Sequence, residues 1–294
     1  MFNLSWQNEQ EDKRLPELYK LKPEAFEQQI NQTKKALLKE LNEFIVSETP
    51  SKAFIEIALA NINYNYYSRK ELYVSSKKIA NHYQEIPYPE YFFSYRDSIQ
   101  LNNNTLKNYY TYYQFINRYL DNLSHDKYKK QNSFFNKVSY NHQTHKLNLI
   151  DSLITNKQLH DKLLQNNIKR YLMHADDSQK EHDIVTLYKE LDHNQSHQNE
   201  VEKYAHNTAK INAGKLIPDL ALLTANKQSI SIQKINTLKT VFFFWNNESV
   251  KHYKQIHIRI EELKSRYPEY NFVGINTGTD FDQWQQTVVS SGYN

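Results

Sequence analysis

One short stretch groups side chains that could do chemistry: Asn246, Asn247, Glu248, Ser249, His252 and Tyr253, directly after the apolar run Thr240-Val-Phe-Phe-Phe-Trp245. Glu248 and His252 are four apart, the spacing that puts two side chains on one helix face, so they could form an acid/base pair. Asn246 and Ser249 are residue types that cap a helix start, where free amides attract an anion. The plainer reading is a capped helix with a surface ion pair. Histidines give a second set: His142 and His145 are three apart, and His193 and His197 four apart, as on one helix face. A zinc hydrolase also needs a third ligand and a placed general base, and no His-Glu-x-x-His is present. The polar segment 191–198 reads as a loop, so no metal ligand and no cofactor is assigned from the sequence.

The elements that must hold these residues follow from pattern. Five β-favouring apolar residues ending in Trp245 read as a buried strand, and Tyr253 to Tyr267, with Ile256, Ile260 and Leu263 inward, reads as the helix that follows. Asn271–Asn276 is the next strand, and Asp280 caps a last helix. Leu220–Leu223 and Ser229–Ile232, around Thr224–Lys227, form a hairpin. Strand, helix, strand, helix implies a parallel pair and α/β architecture. All four glycines lie at or beyond Gly214. We therefore expect an N-terminal strand (Phe2–Trp6) and linker over 1–15, an all-helical domain over 16–213 and an α/β domain over 214–294. Helices are expected after Pro23, after Ser51, near 71–84, from Glu90 to about Leu101, after Asn104 or Thr105, and from Leu147 on. Phe134, Phe135 and Val138 anchor the polar stretch 121–145. Tyr109, Tyr112, Tyr113, Ile116, Tyr119 and Leu120 fall on one helix face, where core is the plain reading and a ligand platform the alternative.

Composition narrows the function classes. The 294 residues carry a net charge of +4 with basic and acidic residues interleaved, which argues against nucleic acid as a partner. No run approaches a membrane span. The absence of cysteine excludes disulfides, thiolate metal sites and thiol catalysis within this sequence.

The order Gly214-Lys215, Pro218-Asp219, hairpin, Lys239, a strand ending Phe244-Trp245 and then a helix resembles the TlpA-type thioredoxin-like thiol–disulfide oxidoreductases, in particular those of Bacteroidetes-like bacteria with a long helical N-terminal region. The motifs lie within 214–294; over 16–213 the likeness is general. The resemblance implies a thioredoxin fold and a cell-envelope or periplasmic location. In that family a Cys-x-x-Cys follows the tryptophan. Its two cysteines fall here on Asn246 and Ser249, so Trp245–Ser249 is a degenerate redox motif, with no catalytic residue, and His252 and Tyr253 are candidate binding residues. The family's domain also continues with a cis-proline loop and further strands. No proline follows Pro268, so the resemblance leads us to expect a truncated thioredoxin-like domain with an exposed apolar strand edge, preceded in the full protein by a signal segment. The implied function is redox-inactive protein or peptide binding. The alternatives are a family member active by other means and a structural helical scaffold.

Overall fold

The computed structural model describes residues 4–80, 86–129, 135–212, 214–235 and 239–292, without the side chains of Ser5 and Trp6. The chain divides into two compact units, Met1–Ala213 and Gly214–Asn294.

The first unit is helical. Its helices are α1 (Leu4–Leu18), α2 (Pro23–Glu48), α3 (Lys52–Ala80), α4 (Tyr110–Tyr128), α5 (Tyr140–Leu153), α6 (Lys157–Leu172), α7 (Ser178–Leu191) and α8 (Gln195–Ala209), with a 3-10 helix at Glu90–Ser98. Pro23 opens α2 at a position whose N–H would be unbonded anyway. Thr49, held in the left-handed region at φ 46° before Pro50, closes it. The expected strand at 2–6 is overturned: the described part, from Leu4, belongs to α1, whose Leu4 packs on Leu37, Leu41 and Ala58. Tertiary packing decides this segment, because its own apolar pattern is too short to choose a period.

Two expected helices, one after Ser51 and one near 71–84, are instead the single helix α3; Tyr83 lies outside the described residues. The polar run Ser68-Arg69-Lys70-Glu71 lies where the two expected helices meet. In the fold all four are buried and partnered. Arg69 pairs with Asp12, Lys70 with Glu27, and Glu71 with Arg96, while Arg118 Nη1 donates to Ser68 Oγ at 2.7 Å. The segment from Glu90 is a 3-10 helix, whose three-residue turn stacks Phe92 and Tyr95 on one buried side. No helix starts at Asn104 or Thr105. The Asn103 side chain accepts from the Thr105 and Leu106 amides at 2.9 and 3.1 Å, which fixes a turn, and α4 begins at Tyr110.

The aromatic face of α4 is core. Tyr112, Phe115, Ile116 and Leu120 are buried in the main cluster, with Tyr109, Tyr113 and Tyr119 packed against it. That cluster also takes Leu147 and Ile150 of α5, Leu163, Leu164 and Ile168 of α6, Ile184 and Tyr188 of α7, and Val201 of α8. Helix α5 starts at Tyr140, not near Leu147, since the Ser139 hydroxyl accepts from the His142 amide. Its first turns are polar because they face a buried ionic network. Phe135 is buried; Phe134 lies outside the described residues. The loop expected over 191–198 shrinks to Asp192–Asn194, because the Asn194 side chain caps α8 at once. His193 is therefore not on a helix and shares no face with His197.

The second unit has β1 (Ala221–Leu223), β2 (Ser229–Ser231), the one-turn α9 (Ile232–Ile235), β3 (Thr240–Trp245), α10 (Val250–Arg266), β4 (Asn271–Asn276) and α11 (Phe281–Ser291). β1 and β2 pair antiparallel around a turn in which Lys227 takes φ 59°. β3 and β4 pair in parallel, Thr240 opposite Asn271 through Trp245 opposite Asn276. The two pairs are separate sheets, so the unit is a small α/β assembly and not one continuous sheet. Together the units are mainly helical with a small sheet region toward the C-terminus.

At the centre of the parallel pair Phe243 lies opposite Gly274. A Cβ on Gly274 would stand 2.7 Å from the Phe243 ring. Gly274→Ala should therefore displace that ring and cost about 1–3 kcal/mol, read as a lower denaturation midpoint for this unit; Gly278→Ala, where the near atom is the Asn276 side chain, should cost less.

Candidate functional site

β3 delivers Trp245 to the head of the turn, and α10 begins at Val250. Trp245 is buried, edge-on to His257 at a ring separation of 5.0 Å and tilted against Tyr253 at 5.8 Å. Both partners are on α10, so the indole fastens the helix to the strand it follows. The turn is also held from the far side. Trp245 O accepts from Thr277 N at 2.8 Å, and the Asn276 amide donates to Asn247 Oδ1 at 2.9 Å. Asn247 Nδ2 in turn donates to Thr287 Oγ1 on α11 at 3.0 Å. Asn247 is thus the residue that joins turn, strand end and last helix. Nothing in the residue pattern distinguishes it from its neighbours.

The remaining residues of the stretch separate. Asn246 is half-buried, and its Oδ1 is buried without a hydrogen-bond partner. Ser249 occupies the N-cap position of α10, but its side chain makes no capping bond. Glu248 and His252 are both exposed. Glu248 stands on the turn before the helix, so the four-residue spacing to His252 does not bring the two together, and no ion pair joins them. The acid/base pair is therefore not formed. A nucleophile with an oriented base is absent among the described residues of this turn.

Next to the turn, on the β4 and α11 side, lies a cavity of about 370 Å³. Its apolar wall includes Leu222, Ile230, Val273, Ile275, Phe281 and Trp284, and its rim includes Asn276 and Asp280. Asn276 connects the two features: it lines the cavity and holds Asn247. Predominantly apolar walls with a few directed polar groups are the usual make-up of a binding groove.

The helical unit holds chemistry that sequence patterning passed over, in three buried ionic networks. Glu27 accepts from Lys70 and from Tyr66 OH, at 2.8 and 2.7 Å. Glu71 takes a two-pronged contact from Arg96 at 2.9 and 2.8 Å, with Tyr95 and Asn122 completing its shell. Asp121 meets Lys146, Lys137 at 3.1 Å and His142 Nε2 at 3.2 Å. Burial alone would raise the Asp121 carboxyl, but Lys146, His142 and Lys137 override it and hold it well below the ordinary range. Burial pushes Lys146 down to about 8 against the pull of Asp121, and it also lowers His142. The one available signal was His142 and Lys146 lying four apart on α5, the same face.

No protein-family profile matches the chain. No curated protein and no solved structure matches it either. Among the described residues, no helix is long and apolar enough to cross a membrane.

Proposed function

We propose that this is a thioredoxin-like protein without the redox dithiol, which acts in the cell envelope by binding an extended protein or peptide segment through its C-terminal unit. The observation that carries the reading is the turn itself: a parallel strand pair whose first strand ends in a buried tryptophan and passes through Asn246 and Ser249 into α10. Those two residues stand where the resembled family keeps its thiols, and neither can exchange a disulfide. The cavity of about 370 Å³ beside the turn supplies apolar walls for side chains of a bound segment, and Asn276 on its rim supplies a polar anchor. The envelope location rests on the family resemblance alone.

A fluorescent, leucine- and valine-rich decapeptide titrated into the full-length protein should show saturable anisotropy. Replacing Leu222 or Phe281 in the cavity wall by aspartate should weaken binding at least tenfold. Absence of saturable binding, or equal binding by these variants, would rule the reading out.

A further inference from the structure

We propose that the helical unit binds a single halide ion, chloride, in the seam between α1, α2 and α3, held by Lys34 and Arg69. Along α1 the seam is apolar at both ends. Leu4 meets Leu37, Leu41 and Ala58, and Leu15 and Leu18 belong with Phe26 and Tyr73. Between these ends lies a polar layer that encloses a cavity of about 10 Å³. Its polar lining is Asn8 of α1, Thr33 and Lys34 of α2, and Asn65, Tyr66 and Arg69 of α3. That is room for about one water-sized sphere, which suits a monatomic ion and is too small for sulfate, phosphate or a carboxylate.

The donors left over in this layer are cationic. Asn8 donates to Asn61 at 3.1 Å, Asn65 to Asn8 at 2.5 Å, Thr33 to Glu11 at 3.3 Å and Tyr66 to Glu27 at 2.7 Å. Arg69 is 5% exposed, and its Nε is buried without a hydrogen-bond partner. The same guanidinium reaches Asp12 only through Nη2 at 3.3 Å, and that carboxylate is 62% exposed. Lys34 forms no ion pair among the described residues; its ammonium stands over the rings of Tyr66 and Tyr67, at 4.6 and 5.2 Å from their centres. A buried donor without an acceptor requires an explanation, and here it belongs to a charged group.

The surrounding charge has the same sign. The nearby carboxylates are engaged: Glu27 by Lys70, and Glu11 by Arg14. Arg118, which donates to Ser68 Oγ beside Arg69, has no carboxylate at ion-pair distance among the described residues. Burial lowers Arg118 and Lys34 below their ordinary values, with Glu27 pulling Lys34 the other way. Lys34, Arg69 and Arg118 thus share the exposed Asp12 at close range. Water in the cavity would meet the Arg69 Nε donor but would leave this charge uncompensated; a halide does both, and it ties α1 to α2 and α3.

Thermal unfolding of the full-length protein, with sodium chloride exchanged for sodium gluconate at constant ionic strength, should show a saturable rise of the helical-unit midpoint with chloride. Bromide should reproduce the rise and sulfate should not. The chlorine NMR line should broaden on adding the protein. Lys34→Met keeps the stem over the tyrosine rings and removes the charge; it should weaken chloride binding at least tenfold, and so should Arg69→Met. Lys35→Met, on the exposed side of α2, should leave binding unchanged. Lys34→Met breaks no ion pair, so it decides the matter if Arg69→Met fails to fold. A wild-type protein with neither a saturable rise nor line broadening would hold water only in the cavity, which overturns the proposal. Equal chloride response in wild type and Lys34→Met would place the ion elsewhere and overturn it too.

Discussion

Replacing Asp121 by alanine should cost the helical unit about 3–5 kcal/mol, the range for removing one partner of a buried ion pair. The cause is what stays behind. Lys146 is fully buried on α5, where besides Asp121 it donates to Asn117 Oδ1 at 2.8 Å, and Lys137 and His142 point at the same place. Without the carboxylate these groups repel one another in a region closed to water. Asp121→Asn should recover a part of the loss through hydrogen bonding alone. Urea denaturation followed by helical circular dichroism measures both; a cost under 1 kcal/mol for the alanine variant would mean that the network contributes little.

The same network sets the direction of pH dependence. The Asp121 carboxyl titrates lower in the folded protein than in the unfolded chain, so its contribution is complete above the ordinary carboxylate range and is lost as pH falls through the folded value. His142 is also lowered in the fold. Below about pH 6.5, the ordinary histidine value, the unfolded chain therefore takes up a proton that the folded one refuses, and stability falls with pH. Both groups act in the same sense. The denaturation midpoint should drop between pH 7 and 5, and His142→Gln should flatten that drop; an equally steep drop in the variant would assign it to other groups.

Trp245→Ala is the second large effect, expected at about 3–5 kcal/mol. In the C-terminal unit the buried apolar residues among those described are Ile232, Trp245 and Ile260. Trp245 is the largest of them and joins β3 to α10 through Tyr253 and His257, beside a second edge-on contact from Phe243 to His257. A unit with so small a core cannot absorb such a loss. Amide exchange across β3, β4 and α10 should approach that of unprotected chain. Protection retained there would show that the strand–helix contact survives without the indole, on Phe243, Ile256, Ile260 and Leu263.

The sequence by itself determined those parts that rest on local chemistry. Glycine placement marked the division near Gly214, because long helices exclude that residue. The run Thr240–Trp245 and the apolar spacing of Ile256, Ile260 and Leu263 fixed a strand and a helix, and Asp280 fixed the start of α11. The lack of cysteine leaves this sequence no thiol for disulfide exchange, whatever its fold. Tertiary structure alone decided where polar residues face. Ser68–Glu71, His142, Lys146 and Asp192 are polar in sequence, where polarity is read as exposure. They are buried because their partners, Glu27, Arg96, Asp121 and Tyr188, arrive from distant parts of the chain. For the same reason Glu248 and His252, well spaced on paper, do not meet, while Asn247 and Asn276, 29 residues apart, do. Spacing predicts neighbours only within one helix, and the turn after Trp245 leaves Glu248 before α10 while His252 is on it.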